Sequence, residues 1–509
     1  MTSVPSGKSE SVALLSINGR MADERCGPPP LRISSGFGLA RAMERLCTTA
    51  VSLFIVPFAL PVLSILASRK VQKVLLAIAV FNIPLQIQKH FFLREDVADL
   101  GSLGGLQVSL TNIALVGLYV AWLVSVATRS RTSAQHRRIP NKVILPAALF
   151  LLFNAISLLV AGDAVVGVFQ VWSALVLFAL YLYVAQTTTS REDVLFVVRV
   201  LLIGLVLQCL LMLAQAGGLV GGFQFYGIKA QAEFAGDSRV SGTIGSPNPA
   251  AAYLAIMTIM ALAVMLAKVR RFDKCLAGTG LALGAPCLIF TLSRGGWISF
   301  LVGLAAIIFF GRRRVPWRTV GAVVVLLVLL AIPLRGVLAE RLYGDDSGSA
   351  AARMPLNELA AAMIADHPLL GIGANNFSLA MQLYLARNFS GDFLYTVHNT
   401  YLLFWAETGI GGLIAFVWLL IAIVRQGCAC WRLRDPLFAP LALGCAAAVM
   451  GFMVQMNFDP FRSGSAVDLV WLFGGLVTAM GGISASHRLV SQARVGASGT
   501  TAPLELGHS

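Results

Sequence analysis

Residues 275–310 read CLAGTGLALGAPCLIFTLSRGGWISFLVGLAAIIFF. Two apolar runs, 275–293 and 296–310, flank the short polar break Ser293-Arg294-Gly295-Gly296-Trp297. Crossing a bilayer takes about 20 apolar residues in a helix. In lipid every backbone N–H and C=O must find its partner inside the segment, which a helix achieves and a loop does not. The stretch therefore reads as two antiparallel membrane helices with almost no loop between them. Arg294 then lies at membrane depth or just at the surface, where a cation is costly and is usually paired or functional.

The same pattern extends in both directions. The chain has 509 residues, of which 57% are hydrophobic and 12% charged, with a mean hydropathy of +0.79. A soluble domain carries about 25% charged residues, so the composition assigns the bilayer as solvent. Candidate spans centre on 71–88, 106–127, 143–161, 165–185, 194–216, 248–267, 275–293, 296–310, 319–334, 400–424, 437–457 and 465–483. The stretch 48–67 is also apolar but contains Pro57 and Pro61, and reads as a thirteenth span or a bent hairpin. The expectation is an all-α polytopic bundle of about 12–13 spans. It divides into a disordered cytoplasmic extension (1–47), an N-terminal membrane region (48–334), a long outer loop (335–399), a C-terminal membrane region (400–483) and a cytoplasmic tail (484–509).

The net charge of +15 sits in short clusters between apolar runs. This favours cytoplasmic loops under the positive-inside rule over a nucleic-acid surface, since aromatics and basic residues are not interleaved. Clusters at 69–73, 129–138, 268–274, 312–318, 425–434 and 487–494 face the cytoplasm on this reading. The outer loops are then 89–105, 162–164, 217–247, the turn near Arg294, 335–399 and 458–464. In the long loop, Leu359 to Ile364 and Phe377 to Ala386 read as short amphipathic helices lying at the interface. The eight cysteines are scattered, mostly in or beside apolar runs, and imply neither a disulfide framework nor a zinc site.

Three outer features stand out. Arg239 lies in Asp237-Ser238-Arg239-Val240-Ser241-Gly242-Thr243-Ile244-Gly245-Ser246-Pro247-Asn248-Pro249, where Ser246 or Asn248 is placed to cap the next helix. The plain reading of Arg239 is a snorkelling side chain. Arg294 reads equally as an interfacial anchor beside Trp297. His398-Asn399 is followed by nine residues and then Gly409-Ile410-Gly411-Gly412. A neutral imidazole there accepts a proton from a hydroxyl near pH 7, or else His398 and Asn399 simply cap a Gly-kinked helix. Small residues at 409–412 permit close helix approach. Glu407, an intramembrane carboxylate about 14 Å along the helix from His398, is a further candidate able to pair with an arginine. Taken together, two arginines suit a diphosphate and a nearby base suits a sugar hydroxyl.

In this order the segments resemble the O-antigen ligase/polymerase family. The late motif of that family is His, then Asn, Ser or Gln, nine residues and Gly-x-x-Gly, and it stands here as His398-Asn399 through Gly409 and Gly412. The Arg239 and Ser293-Arg294-Gly295 segments resemble two further family signatures, and His367-Pro368-Leu369-Leu370-Gly371-Ile372-Gly373 with Asn376-Phe377 resembles its loop segment. The resemblance covers roughly 237–412. It implies a bacterial inner-membrane enzyme that takes an undecaprenyl-diphosphate-linked glycan and transfers it with inversion to an acceptor hydroxyl at the periplasmic face, with no metal or other cofactor. Carried over by position, Arg239 and Arg294 hold the donor diphosphate and His398 is the base, with Asn399, Glu407, Gly409 and Gly412 in support. The acceptor is a second glycan, for an exopolysaccharide or O-antigen polymerase, or the lipid A core, for a ligase of lipopolysaccharide biosynthesis. Membrane lipids and a chain-length regulator or export complex are the other implied partners. A transporter or flippase is the competing class, but such folds show inverted repeats and interruptions at the membrane midplane, and here the interruptions fall at the surface. A non-catalytic scaffold of an export complex is the third reading.

Overall fold

A computed structural model describes residues 68–128, 141–221, 223–225, 228–230, 239–311, 353–388 and 394–498, with isolated positions between 318 and 343. The chain divides into units 1–62 and 63–509, and all described residues belong to the second. The extension 1–47, the stretch 48–67 and the basic cluster 129–138 lie outside the described residues. Of the expected span 319–334, only isolated positions are described, and Val325, Val328, Leu329 and Ile332 among them are exposed.

The fold is a polytopic helical bundle. Its helices are α1 (Arg69–Leu85), α2 (Leu110–Thr128), α3 (Asn141–Ile156), α4 (Ala164–Thr187), α5 (Arg191–Ala216), α6 (Pro247–Leu266), α7 (Arg271–Phe290), α8 (Arg294–Gly311), α9 (Arg353–Asp366), α10 (Phe377–Asn388), α11 (Thr400–Arg432), α12 (Phe438–Gln455) and α13 (Ser465–Ser498). Ten helical segments among the described residues are long and apolar enough to cross a membrane. Two hairpins, β1 (Gln88–Phe91) with β2 (Leu106–Ser109) and β3 (Phe223–Phe225) with β4 (Ile228–Ala230), sit in the loops. The expected span at 106–127 therefore needs correction. Its first four residues are strand β2, paired with β1 from Gln88↔Ser109 to Phe91↔Leu106, and the helix starts at Leu110.

Local chemistry starts the helices. Asp163 caps α4 by accepting from Val165 and Val166 N–H, and Ser190 with Asp193 forms a capping box at α5. Asp435 Oδ1 accepts from Leu437 and Phe438 N–H at 2.9 Å each at the start of α12. Helices α6 and α13 are the most enclosed of the described spans, each with 83% of its core stretch buried, against 28% for α2. Apolar side chains gain little by leaving lipid for protein, so packing in such a bundle rests on close contact between small residues. Helix α6 carries Ala250, Ala251, Ala252, Ala255, Ala261 and Ala263, all buried, and packs on α7, α8 and α12. Gly444 on α12 faces Ala263, and Gly451 faces the Ser299 carbonyl of α8, where a larger residue has no room.

The long loop packs differently from the expectation. Much of the apolar surface of α9 and α10 packs against the bundle, while Met354 and Leu383 stay exposed. Leu359, Met363, Phe377 and Met381 are fully buried, together with Val397, Leu403 and Ala406 at the start of α11. Protein contact replaces lipid contact because α9 packs directly on α11 and α10.

The loops gather in two groups. Asn375 side-chain amide donates to Leu103 and Val166 carbonyls, Asn376 Oδ1 accepts from Asp163 N–H, and Thr243 Oγ1 lies 2.6 Å from the Pro84 carbonyl. These contacts join loops that the charge pattern places on one side. Lys268 N–H donating to the Pro436 carbonyl and the Arg191–Asp435 ion pair join loops expected on the other.

Candidate active site

Arg239 is held by two elements. Its Nε donates to the Thr291 carbonyl at 2.9 Å, and its Nη2 donates to Asn248 Oδ1 at 2.9 Å. Asn248 Nδ2 in turn donates to Asp459 Oδ1 at 2.9 Å. The expected capping by Ser246 or Asn248 is not what the structure shows. Ser246 makes no capping hydrogen bond, Pro247 occupies the first helical position where no N–H is needed, and the Asn248 amide is engaged with Arg239 and Asp459.

Arg294 opens α8 three residues after Thr291. The turn is tight because Leu292 adopts φ 52°, a conformation uncommon for a branched aliphatic side chain, and Ser293 then restarts the helix by accepting Trp297 N–H. A cation at a helix N-terminus opposes the helix dipole, and the open N–H groups there favour an anion. The Arg239–Thr291 hydrogen bond brings the two arginine-bearing segments side by side.

His398 arrives from a third direction. Thr396 N–H donates to the Leu100 carbonyl at 2.9 Å, Asn399 Oδ1 caps α11 at Tyr401 and Leu402, and Thr400 N–H donates to the Met456 carbonyl at 2.8 Å. Thr400 Oγ1 also donates to the Asp459 carbonyl at 2.7 Å and accepts from Phe461 N–H at 2.9 Å. The His398 segment and the Asp459 loop are thus sewn together, and Gln455 Nε2 donating to the Asn248 carbonyl closes the ring back to Arg239. Burial, reinforced by the positive charge of Arg353, pushes the His398 imidazole down to about 4, against the opposing effect of a Thr396 backbone hydrogen bond. Burial pushes the Asp459 carboxyl up to about 6, while Arg353, Asn248 and Arg239 pull it back. Each of these groups lies within the electrostatic reach of another, so the cluster is one electrostatic unit.

Glu407 supports this end of the bundle from below. Its Oε2 accepts from Arg462 Nη1 at 2.5 Å and its Oε1 accepts from Phe377 N–H at 3.1 Å, with Glu407 fully buried. Gly409 interrupts α11 with φ 69° and ψ −176°, a conformation open essentially to glycine alone. The freed Ala406 and Glu407 carbonyls accept Ile372 and Gly373 N–H, and Ile410 N–H donates to the Pro368 carbonyl. What approaches Gly409 is the backbone of Leu369 and Leu370, whereas Gly411 and Gly412 admit Phe153 of α3. Gly409→Ala is expected to lower stability by at least about 1–3 kcal/mol from backbone strain alone. The added methyl also collides with the Leu369 carbonyl oxygen. Thermal unfolding in detergent checks this, with Gly278→Ala as the comparison in normal helical backbone, where an added methyl has room.

Four residues of this end escaped the sequence reading. Asp459 and Arg462 lie in the short loop before α13, Arg353 opens α9, and Asn248 was read as a cap. Arg462 carried a legible signal, since a lone cation in an outer loop runs against the positive-inside bias. Arg353 and Asp459 had none, because their relation to His398 arises only from folding.

The family model described as O-Antigen ligase matches residues 279–417. This range contains Arg294, the segment around Gly371, His398, Glu407 and Gly409, and leaves out Arg239, Asp459 and Arg462. No curated protein matches the chain. A solved chain from work on "Structural coordination of polymerization and crosslinking by a peptidoglycan synthase complex" is similar at 17% identity and a TM-score of 0.38, covering 68% of this chain and 98% of that one. A likeness that distant carries no argument here. Residues 279–417 of this multi-pass helical membrane protein are thus similar to the O-antigen ligase family.

Proposed function

We propose that the protein is a polysaccharide polymerase of the bacterial inner membrane. It transfers an undecaprenyl-diphosphate-linked glycan to an acceptor sugar hydroxyl at the periplasmic face. The observation that supports this most directly is the hydrogen-bonded ring of the Arg239, Thr291–Arg294, His398–Thr400 and Met456–Phe461 segments at one end of the bundle. Arg239 and Arg294 hold the diphosphate, for which guanidinium forks are suited. His398 takes the acceptor proton as the acceptor oxygen bonds to the anomeric carbon. The glycosyl–phosphate bond breaks with its electron pair going to the diphosphate, whose charge the arginines stabilise. The reaction inverts the anomeric centre and needs no metal in this scheme.

The test is incubation of the purified protein with a synthetic polyprenyl-diphosphate oligosaccharide. A ladder of products at multiples of the repeat is the expected result. A single addition to lipid A core with no ladder assigns a ligase instead, and no product with either acceptor overturns glycan transfer.

A further inference from the structure

A second cleft takes Ser463 and Gly464, from the loop that also carries Asp459, into its lining. Its walls follow from three local features. Helix α1 ends at Gln86, whose Nε2 donates to the Ile83 carbonyl at 2.7 Å and reaches Asp468 Oδ2 at 3.5 Å. The β1–β2 register places Gln88 opposite Ser109 and His90 opposite Gln107, and alternation puts Gln88, His90, Gln107 and Ser109 on one face of the hairpin, of which Gln88, Gln107 and Ser109 line the cleft. Trp172 of α4 is fixed against that hairpin by donating its indole N–H to the Gln107 carbonyl at 2.8 Å. Gln86, Gln88, Gln107, Trp172 and Asp468 all line the cleft, together with Ser463-Gly464.

The chemistry of this lining selects a ligand class. Among the described residues, the side-chain amides of Gln88 and Gln107 have no partner, so each offers a donor pair and an acceptor. A carboxylate stands opposite them and an indole stands beside them. Planar amides and a carboxylate suit a ligand dense in hydroxyls, and an aromatic ring suits the apolar face of a sugar. No lysine, arginine or histidine lines the cleft among the described residues, which argues against a diphosphate. Another cleft, lined by Phe150, Phe404, Phe416 and Trp471 together with Gln170 and Arg462, is mostly apolar and has no carboxylate among its lining residues.

We propose that the cleft bounded by Gln88, Gln107, Trp172 and Asp468, about 50 Å³ in volume, takes the hydroxyl-bearing edge of a neutral sugar of the glycan chain. The proposal rests on the glycan-transfer reading above. Ser463 and Gly464 of its lining belong to the same loop as Asp459, so the proposal is that one sugar of a bound chain is held here while another is presented to His398. The sugar belongs either to the donor glycan or to the acceptor, and the kinetics below tell the two apart.

The probe is the set of oligosaccharides released by mild acid from the lipid-linked glycans of the producing cell, separated into neutral and acidic fractions. Binding to the purified full-length protein is measured by calorimetry. The neutral fraction is expected to bind wild type and His398→Ala alike, and the double variant Gln88→Ala/Gln107→Ala at least ten-fold more weakly. Both replaced amides lack intramolecular partners, so the variant is expected to unfold at the wild-type temperature. In the transfer assay, a raised KM confined to the acceptor assigns the sugar to the acceptor, and one confined to the donor assigns it to the donor. Unchanged neutral binding in the double variant, no binding by wild type, or tighter binding of the acidic fraction by wild type overturns the subsite. Absence of transfer by wild type with binding retained counts against the catalytic reading and leaves the subsite standing.

Discussion

Replacing His398 by alanine is expected to lower the transfer rate by roughly 10²–10⁴-fold, the range that a positioned general base contributes. The protein should still fold, because Asn399 and Thr400, not His398, cap and anchor the start of α11. Normal protein level with normal glycan output would remove the base from the mechanism. The pH profile adds a sharper test. The imidazole is pushed below its usual range to about 4, so it is neutral and able to accept a proton at any pH well above that value. The acid limb of kcat/KM that belongs to His398 should therefore fall near pH 4, far below the ordinary histidine range. Arg353→Met removes a positive neighbour that disfavours the imidazolium, so this limb should move to higher pH. Asp459, pushed up to about 6, titrates separately, and Asp459→Asn should abolish any limb near pH 6 while leaving the lower one. An imidazole of such low basicity is a weak proton acceptor in the empty site. A bound diphosphate supplies the negative charge that raises it, which couples base strength to donor occupancy.

How much of this was readable beforehand depends on the range of the interaction. The bundle follows from composition alone, since apolar runs near 20 residues have few alternatives in a bilayer. The boundary error at 106–109 has a local cause. Leu106-Gln107-Val108-Ser109 alternates apolar and polar residues with period two, but it merges without a break into the apolar run of α2 and was absorbed by it. Glu407 was legible as a costly intramembrane charge, whereas its partner lies 55 residues away and emerges only when the loop before α13 folds over α11. The glycine motif was legible as a place of close approach. That Gly409 takes a non-helical conformation to receive Leu369 follows from the docking of the long loop, and no residue near Gly409 encodes it. Asn248 shows the limit most clearly. Its position before a helix suggests a cap, and only the fold shows its amide joined to Arg239 and Asp459.

The second large effect is expected at the Glu407–Arg462 pair, where Arg462→Leu should cost about 3–5 kcal/mol by leaving a buried carboxylate without its cation. Both side chains are almost fully enclosed, at 0% and 3% exposure. Among the described residues, Arg462 Nε and Nη2 have no hydrogen-bond partner, so the guanidinium uses only part of its donor capacity. Stability alone is thus a poor reason for the pair, because buried ion pairs are often replaced by apolar residues at little loss. Position is the better reason. Glu407 holds Phe377 N–H with one oxygen and Arg462 with the other, which fastens the long loop and the Asp459 loop to the same turn of α11, just above the Gly409 kink. The double variant Glu407→Gln/Arg462→Met keeps an acceptor for Phe377 and removes both charges. It should therefore recover most of the lost unfolding temperature in detergent. Transfer activity should recover far less, because the loop carrying Asp459 then keeps its Thr400 contacts at the start of α11 but loses its charged tie at Glu407. Equal stability of the single and double variants would show that no charge is stranded. Full activity in the double variant would show that the pair does not position the site.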